Sequence, residues 1–174
     1  MGQETKEMHA ALDGLVHRYQ RAVFAVAYAK LGNIHDAEDI TQDVFLEMYK
    51  NADKMNNQAK ASAWLFRTTA YRCKDHFRKM SRRKRRELFS ADSLFSSTQT
   101  EKMVEKERHD LVVKAIDLLP AKYRIVIMLR YFARSSYADI STMTGLAKST
   151  IDGRLRTATK KLRNSLANMG IEVT

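Results

Sequence analysis

Proline and cysteine each occur once in the 174-residue chain, and glycine only six times. So few helix breakers, with long apolar patterns of 3.6-residue period and no alternating runs, predict an all-α protein. The lone Cys73 excludes an intramolecular disulfide and suits a reducing compartment, so a cytoplasmic location is expected. No apolar run approaches the ~20 residues of a membrane span, and the N-terminus shows no apolar signal-peptide core. A Cys/His cluster, a glycine-rich phosphate loop and a G-x-S-x-G turn are also missing. His9, His17, His35, His76 and His109 stand without metal-ligand spacing. No catalytic residue, metal site, cofactor or small-molecule substrate is therefore expected, and the chain does not read as an enzyme.

Positive charge is what the chain has in excess. Its formal net charge of +11 points to a polyanionic partner or an anionic membrane surface. The excess is local. Residues 1–77 are neutral, with 10 acids and 10 bases; residues 78–86 add +7, residues 87–119 contribute −3, and residues 120–174 contribute +7.

The most informative stretch is Ser136 to Leu162. Ser136 and Asp139 have capping-box spacing at the start of a short helix that carries Ile140 and Met143 on one face. Gly145 suits the positive φ of the following turn. In the next helix Ile151, Leu155, Ala158 and Leu162 form a buried stripe. Lys148, Ser149, Thr150, Asp152, Gly153, Arg154, Arg156, Thr157 and Lys160 are the candidates for its reading surface. A helix-turn-helix with short polar and basic residues early in its second helix can enter a DNA major groove. An ordinary helical hairpin with a solvated face is the bland alternative.

Upstream, Leu12, Leu15, Val16, Tyr19, Val23, Val26, Ala27 and Leu31 keep helical spacing, and Gly32 ends that helix. Asp36 is the expected cap of a second helix, Asp36 to Asn51, with Ala37, Ile40, Val44 and Met48 inward. Asp39, Gln42, Asp43, Leu46 and Glu47 lie off that stripe, as a solvated face or as a dock for a basic partner. Spacing alone does not decide between them. Ser62 is the expected cap of a third helix, with Ala63, Phe66, Ala70, Cys73 and Phe77 towards the core. Trp64 is either core or, beside basic residues, a platform for unpaired bases. The basic run from Ser81 to Arg86 fits a targeting patch, a tail or a phosphate-binding strand. The Ser/Thr-rich stretch from Leu88 to Thr100 reads as a flexible linker. Helical signal resumes near Glu101 and runs to Leu119, and Pro120 suits the first turn of the next helix. The expected organisation is two small helical modules, 1–80 and 104–170, joined by a linker over 81–103.

Residues 36–45 (DAEDITQDVF), 63–67 (AWLFR) with 75–78 (DHFR), and 119–124 (LPAKYR) before a basic helix-turn-helix resemble a bacterial sigma factor. The compact two-module length is similar to the extracytoplasmic-function group. The resemblance spans about residues 10–80 and 105–166, and the joint order of motifs carries it. It implies an N-terminal module that binds the polymerase clamp and opens the −10 element, and a C-terminal module that binds the flap and the −35 element. Asp39, Gln42 and Asp43 correspond to clamp-docking positions, with Glu47 beside them. Asn56, Asn57, Gln58, Trp64, Arg67, Tyr71, Arg78 and Lys79 fall in the segment that captures −10 bases and holds phosphates. Core RNA polymerase and promoter DNA are the implied partners, with an anti-sigma factor as an additional candidate.

Four positions depart from the family pattern. Tyr71 stands where many relatives have Asn. Ala147 replaces the usual polar cap before the reading helix, leaving Ser149 and Asp152 as a substitute capping box. Asp152 and Gly153 occupy outward positions often filled by Lys or Arg and by Ser. Asp152 can be that cap or can accept from cytosine N4. The competing function is a stand-alone helix-turn-helix regulator with an N-terminal dimerisation domain.

Overall fold

The computed structural model describes residues 2–52, 55, 57–87 and 105–171, with side chains described except at 2–5, 58–59, 84–87 and 105–109. The described residues form helices and turns without a strand. The N-terminal module holds α1 (Gly2–Leu31), α2 (Ile34–Lys50) and α3 (Gln58–Glu87). The C-terminal module holds α4 (Glu105–Asp117), α5 (Ala121–Ile127), a π-helical turn (Met128–Phe132), α6 (Tyr137–Thr144) and α7 (Lys148–Asn168).

α1 is the centre of the molecule. From Ala22 to Ala29 every residue is buried except the half-buried Phe24. A helix apolar all round must be covered all round. α2 and α3 cover one side of α1, while α5 and the π-helical turn pack on another. Four alanines (22, 25, 27 and 29) let these neighbours approach closely. One apolar core therefore runs from Leu12 through Val23, Met48 and Leu65 to Leu129, Ile140 and Ile151.

Polar contacts pin the seam between the modules. The Tyr28 hydroxyl donates to Asp117 Oδ1 at 2.6 Å, and burial together with this carboxylate raises its phenol pKa. Phe24 lies 5.6 Å from Phe132, ring centre to ring centre. Arg124 donates from Nη2 to the carbonyls of Asp117 and Leu119, closing the α4–α5 turn. Its Nη1 sits where a Cβ on Gly32 would come within 3.1 Å. Gly32 has φ +69, so backbone conformation and space both favour glycine there.

Several sequence expectations need correction. Asn33, not Asp36, caps α2, its Oδ1 accepting from the Asp36 N–H at 3.1 Å. α3 begins four residues before Ser62, which is buried inside it; Asn57 Oδ1 accepts from the Lys60 N–H at the helix start. The buried face of α3 is made by Ala61, Leu65, Phe66, Thr69 and Cys73. Ala63 and Phe77 are exposed rather than in the core. α3 also continues through Glu87, so the basic run rides on a helix rather than in a linker. Asn56, Asp53 and the stretch expected to be a linker beyond residue 87 lie outside the described residues.

The C-terminal module follows its sequence more closely. Pro120 precedes α5 directly, with φ −53. The π-helical turn has no counterpart in the apolar pattern; Ala133 and Ser135 donate back to Met128 and Leu129, and Arg134 takes φ 53 to turn the chain into α6.

Candidate polymerase and promoter surfaces

Three surfaces emerge from this packing. The first is the outer face of α2. Burial of Ala37, Ile40, Val44, Phe45 and Met48 turns Asp39, Gln42, Asp43 and Leu46 to solvent. Asp39 and Gln42 make no hydrogen bond or ion pair among the described residues, and Leu46 is 60% exposed beside them. Exposed carboxylates beside an exposed leucine make a two-component face, one part charge and one part apolar. Glu47 differs. Its Oε2 accepts from Arg72 Nε at 3.0 Å, and the bond to Glu47 raises the Arg72 pKa. Its carboxylate thus ties α2 to α3. His76 Nε2 and Asp36 add a second link between these helices at 3.4 Å.

The second surface is the outer side of α3. Arg67, Tyr71, Lys74 and Arg78 recur at helical spacing and are all exposed, with Tyr71 at 64%. Trp64 is half-buried and packs its ring against the core. Phe77, which its spacing had placed towards the core, and Met80 are exposed further along the helix. Exposed aromatics interleaved with cations suit stacking on unpaired bases. Arg78 and Lys79 are both paired with Asp75, the latter at 3.1 Å. Hydrogen bonds from Lys79 and Arg78 hold the Asp75 carboxyl below its ordinary pKa. Asn57 is committed in part to capping, and Gln58 begins the helix.

The third surface is the helix-turn-helix. The Ser136–Asp139 capping box is complete: the Asp139 N–H donates to Ser136 Oγ at 3.1 Å, and the Ser136 N–H to Asp139 Oδ2 at 3.0 Å. Gly145 caps the other end of α6 at φ 71. Ile151, Leu155 and Ala158 are buried, as their spacing demands. Lys148, Ser149, Thr150, Gly153, Arg156 and Lys160 are exposed, while Asp152, Arg154 and Thr157 are half-buried. Thr157 Oγ1 donates to the Gly153 carbonyl at 2.9 Å.

The substitute capping box does not form. α7 starts at Lys148 after Ala147, with no side-chain cap. Asp152 instead meets Arg156 Nη2 at 2.9 Å and accepts from the Tyr137 hydroxyl at 3.4 Å. A Cβ at Gly153 would touch nothing, so no neighbouring helix explains this glycine. Beside α7 runs a groove of about 700 Å³ to which Arg130, Tyr137, Lys160 and Arg163 also contribute. Arg130 and Tyr137 escaped the sequence reading because they come from other elements. No helix among the described residues is long and apolar enough to cross a membrane, and no group of His, Cys, Asp or Glu there could hold a metal ion.

These surfaces have counterparts in known proteins. The family model for Sigma-70 region 2 matches residues 15–83, and that for Sigma-70 region 4 matches residues 109–162. The chain is 28% identical to the ECF RNA polymerase sigma factor SigW of Bacillus subtilis, covering 91% of this chain and 90% of the relative. It is 30% identical to the ECF RNA polymerase sigma factor EcfG of Rhodopseudomonas palustris, covering 85% and 81%. Its fold is similar to that of CnrH solved with the cytosolic domain of CnrY, at a TM-score of 0.60 and 21% identity over 92% of this chain and 90% of that one. It is also similar to the sigma factor RpoE of Bartonella quintana solved with the anti-sigma factor NepR, at a TM-score of 0.56 and 24% identity over 96% and 98%.

Proposed function

The chain belongs to the extracytoplasmic-function RNA polymerase sigma factors, and we propose how its surfaces divide the work of a factor that binds core polymerase and directs initiation at −10 and −35 elements. Asp39, Gln42 and Asp43, with Leu46 as apolar neighbour, dock the clamp. Glu47 supports this face from behind through Arg72. The outer side of α3 captures the opened −10 strand: Tyr71 offers a ring for stacking, Arg67 and Lys74 face the backbone, and Arg78 and Lys79 keep part of their charge for phosphates. α7 enters the −35 major groove with Lys148, Ser149, Thr150, Arg154, Arg156, Thr157 and Lys160 towards DNA. The bare Gly153 leaves space for DNA to come close.

Region 2 function extends through the basic end of α3, so the working boundary lies beyond residue 80. The protein acts in the cytoplasm, has no catalytic group of its own, and is open to control by an anti-sigma factor, as with the structural neighbour RpoE solved with the anti-sigma factor NepR.

The observation that carries this reading is the exposed acidic face of α2, on which Asp39 makes no intramolecular bond among the described residues and Leu46 lies open beside it. A stand-alone regulator has no need of it. Asp39→Arg with Asp43→Arg is expected to abolish capture of core polymerase and run-off transcription while the helical circular dichroism signal persists. Capture at wild-type strength would sink the docking assignment.

A further inference from the structure

We propose that Asp152 is a positioning residue that fixes the Arg156 guanidinium, so that Arg156 reads a base edge instead of neutralising whichever phosphate is nearest. The proposal rests on α7 being the −35 reader and adds what sets its selectivity.

Charge poses the question. The groove beside α7 is lined by Arg130, Arg156, Lys160 and Arg163, and Asp152 is its one carboxylate. A carboxylate there weakens attraction to phosphate and so works against affinity for DNA in general. Exposed i, i+4 ion pairs add little to stability, so fold stability is a poor reason for it. It is not a helix cap either, since α7 starts without a side-chain cap.

Geometry supplies an answer. One carboxylate oxygen of Asp152 meets Arg156 Nη2 at 2.9 Å, and the other accepts from the Tyr137 hydroxyl at 3.4 Å. Tyr137 is itself held from outside the helix. The Arg130 guanidinium lies 5.5 Å over its ring while Arg130 Nη1 donates to the Ser135 carbonyl at 3.1 Å. Asp152 is therefore anchored from α6 on one side and grips Arg156 on the other. The Arg156 side chain is 81% exposed, and nothing else in the described structure restrains it. Left free, a long cation sweeps across phosphates and binds any sequence. Held by Nη2, its remaining donors keep a fixed direction, as bidentate recognition of guanine O6 and N7 requires.

The test is run-off transcription by core polymerase loaded with the full chain, on a promoter library varied at each −35 position. Arg156→Ala should flatten the base preference at one position. Asp152→Ala should relax that same preference about tenfold while non-promoter duplex binds more tightly, with a salt slope steeper by about 0.9. Tyr137→Phe should give the same relaxation in weaker form, which covers the case in which Asp152→Ala fails to fold. Unchanged selectivity in both Asp152→Ala and Tyr137→Phe overturns the proposal. So does a preference lost at a different position, because Asp152 would then read a base itself. A uniform loss in Arg156→Ala across every −35 variant makes Arg156 a phosphate contact and overturns the proposal while leaving α7 on the DNA. No loss at any variant overturns the α7 assignment beneath it. A selective Arg156→Ala response with a silent Asp152→Ala overturns the positioning role alone.

Discussion

Asp39 on α2 and Asp152 on α7 are the same side chain on the outer faces of two helices, yet they have opposite surroundings. Asp39 makes no intramolecular bond among the described residues, while Asp152 is held by Arg156 and Tyr137. The unpaired carboxylate is available to a basic partner. The paired one organises a cation of its own chain. The two surfaces differ in the same sense: the outer face of α2 is acidic with Asp39 unpaired among the described residues, and the groove beside α7 is cationic with its one carboxylate engaged. A residue's partners, not its type, decide what it offers.

The strongest way to break this comparison is at the outer side of α3, the surface proposed to capture the −10 strand. Tyr71→Ala removes an exposed ring, and base–aromatic stacking is worth about 1–3 kcal/mol. Binding of single-stranded −10 DNA by the loaded polymerase should fall accordingly, and binding of a duplex −35 fragment should not change. Equal losses on both fragments would show that the two readers are not separable. A smaller effect is expected at the second module's cap. Ser136→Ala removes the acceptor of the capping box and should lower stability by about 1 kcal/mol in chemical denaturation. Full stability would mean that the Asp139 half of the box suffices.

The smallest effect concerns Cys73, which lies 1% exposed in the first module. Burial pushes its thiol up to about 11, so the neutral form is favoured in the folded state. The associated stability is complete below the unfolded thiol pKa, about 8.5, and is lost as pH rises towards 11. At pH 8 Cys73 should resist a thiol reagent until denaturant opens the module. Because α1 belongs to both halves of the core, labelling should follow the same denaturant midpoint as the total helical signal. Labelling well before that midpoint would separate the modules energetically.

Much of the fold was legible from sequence because period and caps act locally. Ser136, Asp139 and Gly145 mark helix ends by hydrogen bonds and φ values that a few neighbouring residues supply. The stripe Ile151, Leu155, Ala158 is burial written at 3.6-residue spacing. The faces of α2 were readable for the same reason. Local signals misled where a nearer cap existed: Asn33 outcompeted Asp36, and the start of α3 near Asn57 left Ser62 inside the helix. Phe77 was assigned to the core by spacing but is exposed, because spacing fixes which residues share a face and not how completely that face is covered.

The sequence by itself determined the helical class, the two modules, the helix-turn-helix and the acidic face of α2, since each depends on residues within a turn or two. Tertiary structure decided the partners of the charged side chains. Tyr28 meets Asp117 across 89 positions, Arg72 meets Glu47 across 25, and Tyr137 meets Asp152 across 15. Those pairings depend on how helices pack, and packing is set by the shape of the whole core rather than by any one segment.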